Sequence, residues 1–105
     1  MNKNYNLIFD HLIIKQLQKI SNNQHIKNIL TNMLDKIEEF GPRAGKLLDS
    51  KLFIYEIKNK HPPIRLYFKP KLLNNEIYVF QFEMKTSNKK QQKTIESIKN
   101  KILES

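Results

Sequence analysis

The segments Ile54-Tyr55-Glu56-Ile57-Lys58, Ile64-Arg65-Leu66-Tyr67-Phe68 and Phe82-Glu83-Met84-Lys85-Thr86 decide the fold. All three are rich in β-branched and aromatic residues, and turn signals separate them. Asn59-Lys60-His61-Pro62-Pro63 breaks the chain after the first, and Asn74-Asn75 breaks it before the third. They read as consecutive strands of a meander. Between Lys51 and Lys58, Phe53, Tyr55 and Ile57 share one face, with Leu52, Ile54, Glu56 and Lys58 on the other. In the next strand Ile64, Leu66 and Phe68 point one way and Arg65, Tyr67 and Lys69 the other. Ile77 to Phe82 is nearly continuously apolar, the pattern of a strand covered on both faces.

Upstream, Tyr5-Asn6-Leu7-Ile8-Phe9 is a short first strand. Asp10 is placed to cap a helix that buries Ile13, Leu17 and Ile20. Ser21-Asn22-Asn23-Gln24 has the form of a capping box. Beyond it Ile26, Ile29, Leu30, Met33, Leu34, Ile37 and Phe40 keep the spacing of one helix face, ended by Gly41-Pro42. The two helices form a hairpin, and Pro42 to Asp49 reads as a connecting loop. Ser87 is placed to cap a last, mostly polar helix. Its thin stripe of Ile95, Ile98 and Ile102 suits the sheet edge or a partner. An N-terminal strand and helical hairpin, a three-stranded antiparallel meander and a C-terminal helix make the class α+β. Residues 1–105 are expected to form a single domain.

The charge is uneven. The chain holds 19 Lys+Arg against 10 Asp+Glu, for a net +9. Residues 1–50 carry a net +2 and residues 51–105 a net +7, so the basic half is the half that contains the meander. That bias points to a polyanion or an acidic protein as partner. No apolar run reaches the roughly 20 residues of a membrane span. The start, Met1-Asn2-Lys3-Asn4-Tyr5, lacks the apolar region of a secretory signal. With no cysteine there is no disulfide framework and no thiolate metal site. A cytoplasmic protein without a membrane partner is the expectation.

Arginine is rare here, two residues against 17 lysines, yet Arg65 lies mid-strand. A planar, permanently charged fork suits a phosphate or carboxylate that must be gripped at two points. With a symmetric hairpin loop, Glu56 lies opposite Arg65 and Lys58 opposite Pro63. Arg65, Tyr67 and Lys69 then form a cationic strip able to hold a phosphodiester and stabilise the charge of its transition state. The structural alternative is a cross-strand ion pair of Arg65 with Glu56. The general base is His61 in the turn, or a lysine whose pKa is lowered by cationic neighbours. Lys60, Lys69, Lys89 and Lys90 are candidates for holding or steering a nucleic acid. His11, His25 and His61 are too scattered for a metal site, and two glycines rule out a glycine-rich phosphate loop. No cofactor or metal is expected.

Three stretches carry a family resemblance: Leu34-Asp35-Lys36-Ile37-Glu38-Glu39-Phe40-Gly41-Pro42, then Lys46-Leu47-Leu48, then Ile54-Tyr55-Glu56-Ile57-Lys58. Ile64-Arg65-Leu66-Tyr67 and, in part, Phe82-Glu83-Met84-Lys85-Thr86 continue it in the same order. Together they resemble the RelE/ParE superfamily of bacterial toxins, in its HigB-like, phage-derived branch, over about residues 5 to 100. The resemblance implies a RelE-like α+β fold with a twisted antiparallel sheet. It also implies a toxin of a type II toxin–antitoxin system, with a cognate antitoxin protein as partner. In the RelE and HigB branches that toxin is an mRNA interferase, a metal-independent endoribonuclease that cuts mRNA on the ribosome and inhibits translation. The ribose 2′-hydroxyl attacks, and basic residues on the sheet hold the phosphate. On that resemblance Arg65 is the phosphate-gripping arginine and Lys85 the strand-end lysine. Lys58 stands where the family usually has arginine, and Met84 replaces the first lysine of the family's pair. The alternatives are a non-enzymatic ParE-like toxin that binds DNA gyrase, or an inactive relative that binds only nucleic acid or antitoxin.

Overall fold

The computed structural model of the protein describes residues 3–71, 73–84 and 87–104. Strand β1 (Asn6–Phe9) is followed by helix α1 (His11–Lys19) and helix α2 (Gln24–Phe40). A short 3₁₀ turn (Gly41–Ala44) leads to β2 (Lys46–Asp49), then β3 (Ile54–Asn59), β4 (Ile64–Pro70), β5 (Glu76–Met84) and helix α3 (Asn88–Glu104). The five strands form one sheet in the order β1-β5-β4-β3-β2. Strands β2 to β5 are an antiparallel meander, and β1 joins it parallel to β5, with Asn6 beside Glu76 and Phe9 beside Val79. The sheet is therefore mixed where the resemblance implied an antiparallel one. A parallel neighbour needs a crossover, and the α1–α2 hairpin lies within it.

The two faces of the sheet are covered by different helices. On one face Ile57, Ile64, Leu66, Phe68, Ile77, Val79 and Phe82 meet Ile13 of α1 and Ile26, Leu30, Met33 and Ile37 of α2. Leu17, Ile20, Ile29 and Leu34 pack at its margin, half-buried. The helical face read from the sequence is thus the core face of α2, except at its last residue, where Phe40 is exposed beside the turn that ends the helix. On the other face Ile54, Tyr67 and Phe80 pack with Ile98 of α3, and Leu48, Leu52, Tyr78 and Ile102 surround them. Helix α3, expected at the sheet edge, lies across this second face. Ile98 is fully buried there, and its insertion between apolar strand residues fixes the helix. A bulge where β4 meets β5, between Tyr67 and Phe68, shifts the alternation of β5, so that Ile77 and Val79 before it and Phe82 and Met84 after it all face the helical hairpin.

Local chemistry explains where the elements begin and end. Asp10 caps α1 by accepting from the Leu12 N–H at 3.0 Å. Its carboxylate also accepts from the Tyr78 hydroxyl and from Lys101 Nζ, each at 2.9 Å, which ties α1, β5 and α3 together. The α2 cap is Asn23, which accepts from the Ile26 N–H at 3.2 Å. The capping box expected at Ser21 therefore does not form, because α2 starts two residues later. Gly41 closes α2 with φ +61°, a conformation that glycine adopts without penalty, and the Tyr5 ring packs where a side chain would stand.

The stretch read as a loop, Pro42 to Asp49, contains β2. Asp49 Oδ1 then accepts from the Lys51 and Leu52 N–H groups, and the strand β3 starts only at Ile54. Phe53, expected on a strand face, is instead half exposed in this turn with φ 55°. Ser87 Oγ accepts from the Lys90 N–H at 3.2 Å, as expected of the α3 cap.

Two stability effects follow. At Gly45 an added Cβ would run into the Glu56 carbonyl and the Phe68 ring. Gly45→Ala is expected to cost about 2 kcal/mol, because backbone cannot yield as a flexible side-chain end can; urea unfolding measures it. Burial alone would raise the pKa of Asp10, but the Leu12 N–H, Lys101 and Tyr78 outweigh it and hold the carboxyl below its ordinary 3.8. A depressed carboxyl contributes stability that is present above its unfolded pKa and is lost as pH falls through the folded one. Asp10→Asn is therefore expected to lower stability by about 1 kcal/mol at pH 7. The gap from the parent should close below pH 3.8, as denaturant unfolding at both pH values will show.

Candidate functional site

The β3–β4 hairpin places the charged residues. Asn59 pairs with Ile64, Lys58 with Arg65 and Glu56 with Tyr67, and on the far side Arg65 pairs with Glu83 and Tyr67 with Gln81. The register expected from a symmetric loop, with Glu56 opposite Arg65, is displaced by two residues. Lys60 to Pro63 form the connection, and Asn59 Nδ2 donates to the Pro62 carbonyl at 2.9 Å to brace it. Lys58, Arg65 and Glu83 consequently lie in a row across three strands.

The ion pair expected as the structural alternative forms all the same, on the diagonal. Arg65 Nη1 donates to Glu56 Oε1 at 2.7 Å. The same oxygen accepts from Gln91 Nε2 of α3 at 3.0 Å. The Glu56 side chain is 4% exposed and that of Arg65 23%. The carboxylate is thus an internal anchor, while the guanidinium reaches the surface. A guanidinium has five N–H donors in a fixed fork. The bond through Nη1 orients that fork and leaves its position defined by two strands and a helix.

Around Arg65 a cleft of about 310 Å³ is lined by Lys58, Asn59, Lys60, His61, Pro63 and Ile64. The structure therefore brings together four of the residues singled out in the sequence: Arg65, Lys58, Lys60 and His61. Three basic side chains and an imidazole around one opening can bind a phosphodiester, neutralise added charge on it and carry a proton. Lys58 also borders a second hollow, of about 290 Å³, with Lys36 of α2 and Lys46 of β2. The sequence reading missed these two lysines. Only the β2–β3 pairing of Lys46 with Glu56 brings Lys46 alongside, and β2 itself went unread.

The remaining candidates lie elsewhere. Tyr67 is fully buried beneath α3, so it does not join an open strip with Arg65 and Lys69. Burial and the carboxylates of Glu83 and Glu56 push its phenol well above the ordinary range, against a smaller opposite pull from Gln91 and Arg65. Such a phenol is neither solvent-accessible nor easily ionised. Lys69 turns away from Arg65: its Nζ donates to the Leu52 carbonyl and lies 5.6 Å from the centre of the Phe53 ring. Burial lowers its pKa. Lys89 and Lys90 are exposed in the first turn of α3, just before Gln91 touches Glu56, which puts them at the Arg65 end of the sheet. Lys85 lies outside the described residues. Among the described residues no group of three His, Cys, Asp or Glu could hold a metal ion, and no helix is long and apolar enough to cross a membrane.

No protein-family model and no curated protein matches the sequence. Solved structures do match the fold. One is a chain of the intact E. coli RelBE toxin–antitoxin complex, with a TM-score of 0.64 and 21% identity over 79% of this chain and 99% of that one. Another is the isolated E. coli RelE toxin, with a TM-score of 0.65 and 20% identity over 90% of this chain and 98% of that one. The mixed α+β arrangement of five strands and three helices is a RelE-like fold.

Proposed function

We propose that this chain is the toxin of a type II toxin–antitoxin pair, in the HigB-like branch, and that it is a metal-independent, ribosome-dependent mRNA endoribonuclease. The observation that carries the reading is the cleft at the β3–β4 turn, where Arg65, Lys58, Lys60 and His61 meet on a RelE-like sheet. In the proposed reaction the ribose 2′-oxygen bonds to phosphorus and the bond from phosphorus to the 5′-oxygen breaks. The products are a 2′,3′-cyclic phosphate and a free 5′-hydroxyl. One proton leaves the 2′-hydroxyl and one arrives at the 5′-oxygen. Arg65 grips the non-bridging oxygens, Lys58 and Lys85 share the added negative charge, and His61 moves the proton. Lys60, Lys89 and Lys90 hold the flanking strand. Tyr67, enclosed beneath α3, supports the site by packing.

The partners in this reading are the ribosome with its mRNA, and a cognate antitoxin whose acidic or amphipathic segment lies over the basic surface. The fold match to a toxin–antitoxin complex supports the second. The place of action is the cytoplasm. The test is primer extension on an mRNA in a purified translation reaction, with and without ribosomes. New ends that need the ribosome support the reading. A protein that arrests growth without producing them is a binding toxin of the gyrase-directed kind.

A further inference from the structure

A larger cleft, of about 710 Å³, opens where the start of α1, the end of β4 and the last turns of α3 meet. Four lysines from three elements and a loop line it: Lys15 of α1, Lys69 of β4, Lys71 just after β4, and Lys101 of α3. The acids on its wall are Asp10 and Glu104, and His11 also borders it. Asp10 is engaged internally by Lys101, Tyr78 and the Leu12 N–H. Lys69 and Lys71 are held differently. Lys69 sits on a backbone carbonyl and beside the Phe53 ring, and Lys71 Nζ lies 5.6 Å from the centre of the Tyr78 ring. A carbonyl or a ring face orients an ammonium but leaves its full charge uncompensated. The ring of Tyr78 is half-buried and tilted against Phe80, with centroids 5.1 Å apart, so the cleft has an aromatic wall as well as cations.

We infer that this cleft is a second grip for single-stranded RNA, in which Lys15, Lys69 and Lys71 hold phosphates and the Tyr78 wall receives a base. Cations interleaved with aromatic rings are what single-strand binding requires, since every base offers a stacking face. An acidic peptide would use the cations but does not require a ring face to stack on. Lys69 lies four residues beyond Arg65 on the same strand and sheet face, about 13 Å along β4. The cleft is thus placed to hold the substrate strand away from the cutting site. This inference rests on the RNA-cleaving reading above.

The test is fluorescence anisotropy of a short labelled single-stranded RNA, titrated with full-length protein over a range of salt. Lys15→Gln with Lys71→Gln removes two cations that form no ion pair among the described residues. The charge-matched control is Lys3→Gln with Lys27→Gln, two lysines that line neither this cleft nor the cutting site. The cleft variant is expected to bind roughly tenfold more weakly at low salt and to reduce the slope of log affinity against log salt by about 1.4. The control should keep the parent slope. Equal behaviour of the two variants, or an unchanged cleft variant, overturns the inference and leaves the cutting site standing. A parent protein that binds no free RNA overturns the inference, while the ribosome-dependent reading stands or falls by primer extension. A cleft variant that loses only the binding of an acidic peptide assigns the cleft to a protein partner and overturns the RNA inference.

Discussion

Arg65→Ala is expected to lower ribosome-dependent cleavage by about 10²–10³-fold and to release growth arrest, while the protein still unfolds cooperatively. The magnitude is that of removing one preorganised donor aimed at developing charge. The fold should survive for a specific reason. Removing the partner of a fully buried carboxylate costs about 3–5 kcal/mol, but here Gln91 still donates to Glu56 Oε1 and the Arg65 side chain is partly solvated. About 2 kcal/mol is the expected cost, against the roughly 5–15 kcal/mol by which a domain of this size is stable. Arg65→Lys separates charge from shape, because it keeps the cation and loses the fork, so cleavage should stay well below the parent. Thermal unfolding on the same preparations distinguishes lost chemistry from lost fold. Growth arrest at parental strength by a folded Arg65→Ala protein would remove Arg65 from the reaction.

Ile37→Asp should have the largest effect on folding. Ile37 is fully buried, in the centre of the α2 face that meets the sheet. The substitution loses the side chain's burial, worth about 1.5–3 kcal/mol, and places an unpaired carboxylate in an apolar layer at a further cost of several kcal/mol. The sum reaches the stability range of the whole domain, so no cooperative transition is expected in urea at neutral pH. Leu34, on the same helix and half-buried, can turn an introduced carboxylate toward water, and Leu34→Asp should be milder. Comparable circular dichroism melts for Ile37→Asp and the parent would show that this layer is not the core.

Much of this fold was legible because its signals are local. The α2 stripe from Ile26 to Phe40, the alternation of Ile64 to Lys69 and the Asn74-Asn75 turn each follow from a period or a backbone preference. Both asparagines indeed adopt positive φ, at 64° and 51°. Strand β2 was not legible because its four residues, Lys46 to Asp49, are too few to show alternation and lie at the sheet edge, partly in solvent. The hairpin register depended on how the Lys60–Pro63 connection closes, and an error of two residues keeps every side chain on its own face. For that reason the face of Arg65 was read correctly and its opposite neighbour was not. The covering of Tyr67 by α3 also escaped notice, since a mostly polar helix gives little sign of where it docks. Gln16 gave no sign at all: its amide donates to the Phe82 carbonyl at 2.8 Å and accepts from the Phe82 N–H at 2.9 Å, continuing the pairing of β5 past the end of β1.

The parallel pairing of β1 with β5 sets a timetable for biosynthesis. Residues 6–9 leave the ribosome early but find their neighbours only when residues 76–79 emerge. At about 5–20 residues per second that wait lasts on the order of ten seconds. Until then the first strand has no place in a sheet, and the apolar face of the helical hairpin lacks the β5 residues it packs against. The hairpin bearing Lys58 and Arg65 can form sooner from neighbouring chain, but α3, which supplies Gln91 and covers Tyr67, is translated after all five strands. A nascent chain therefore carries its charged residues before it can hold them in working order, and the site is complete only after α3 has followed the sheet out of the ribosome.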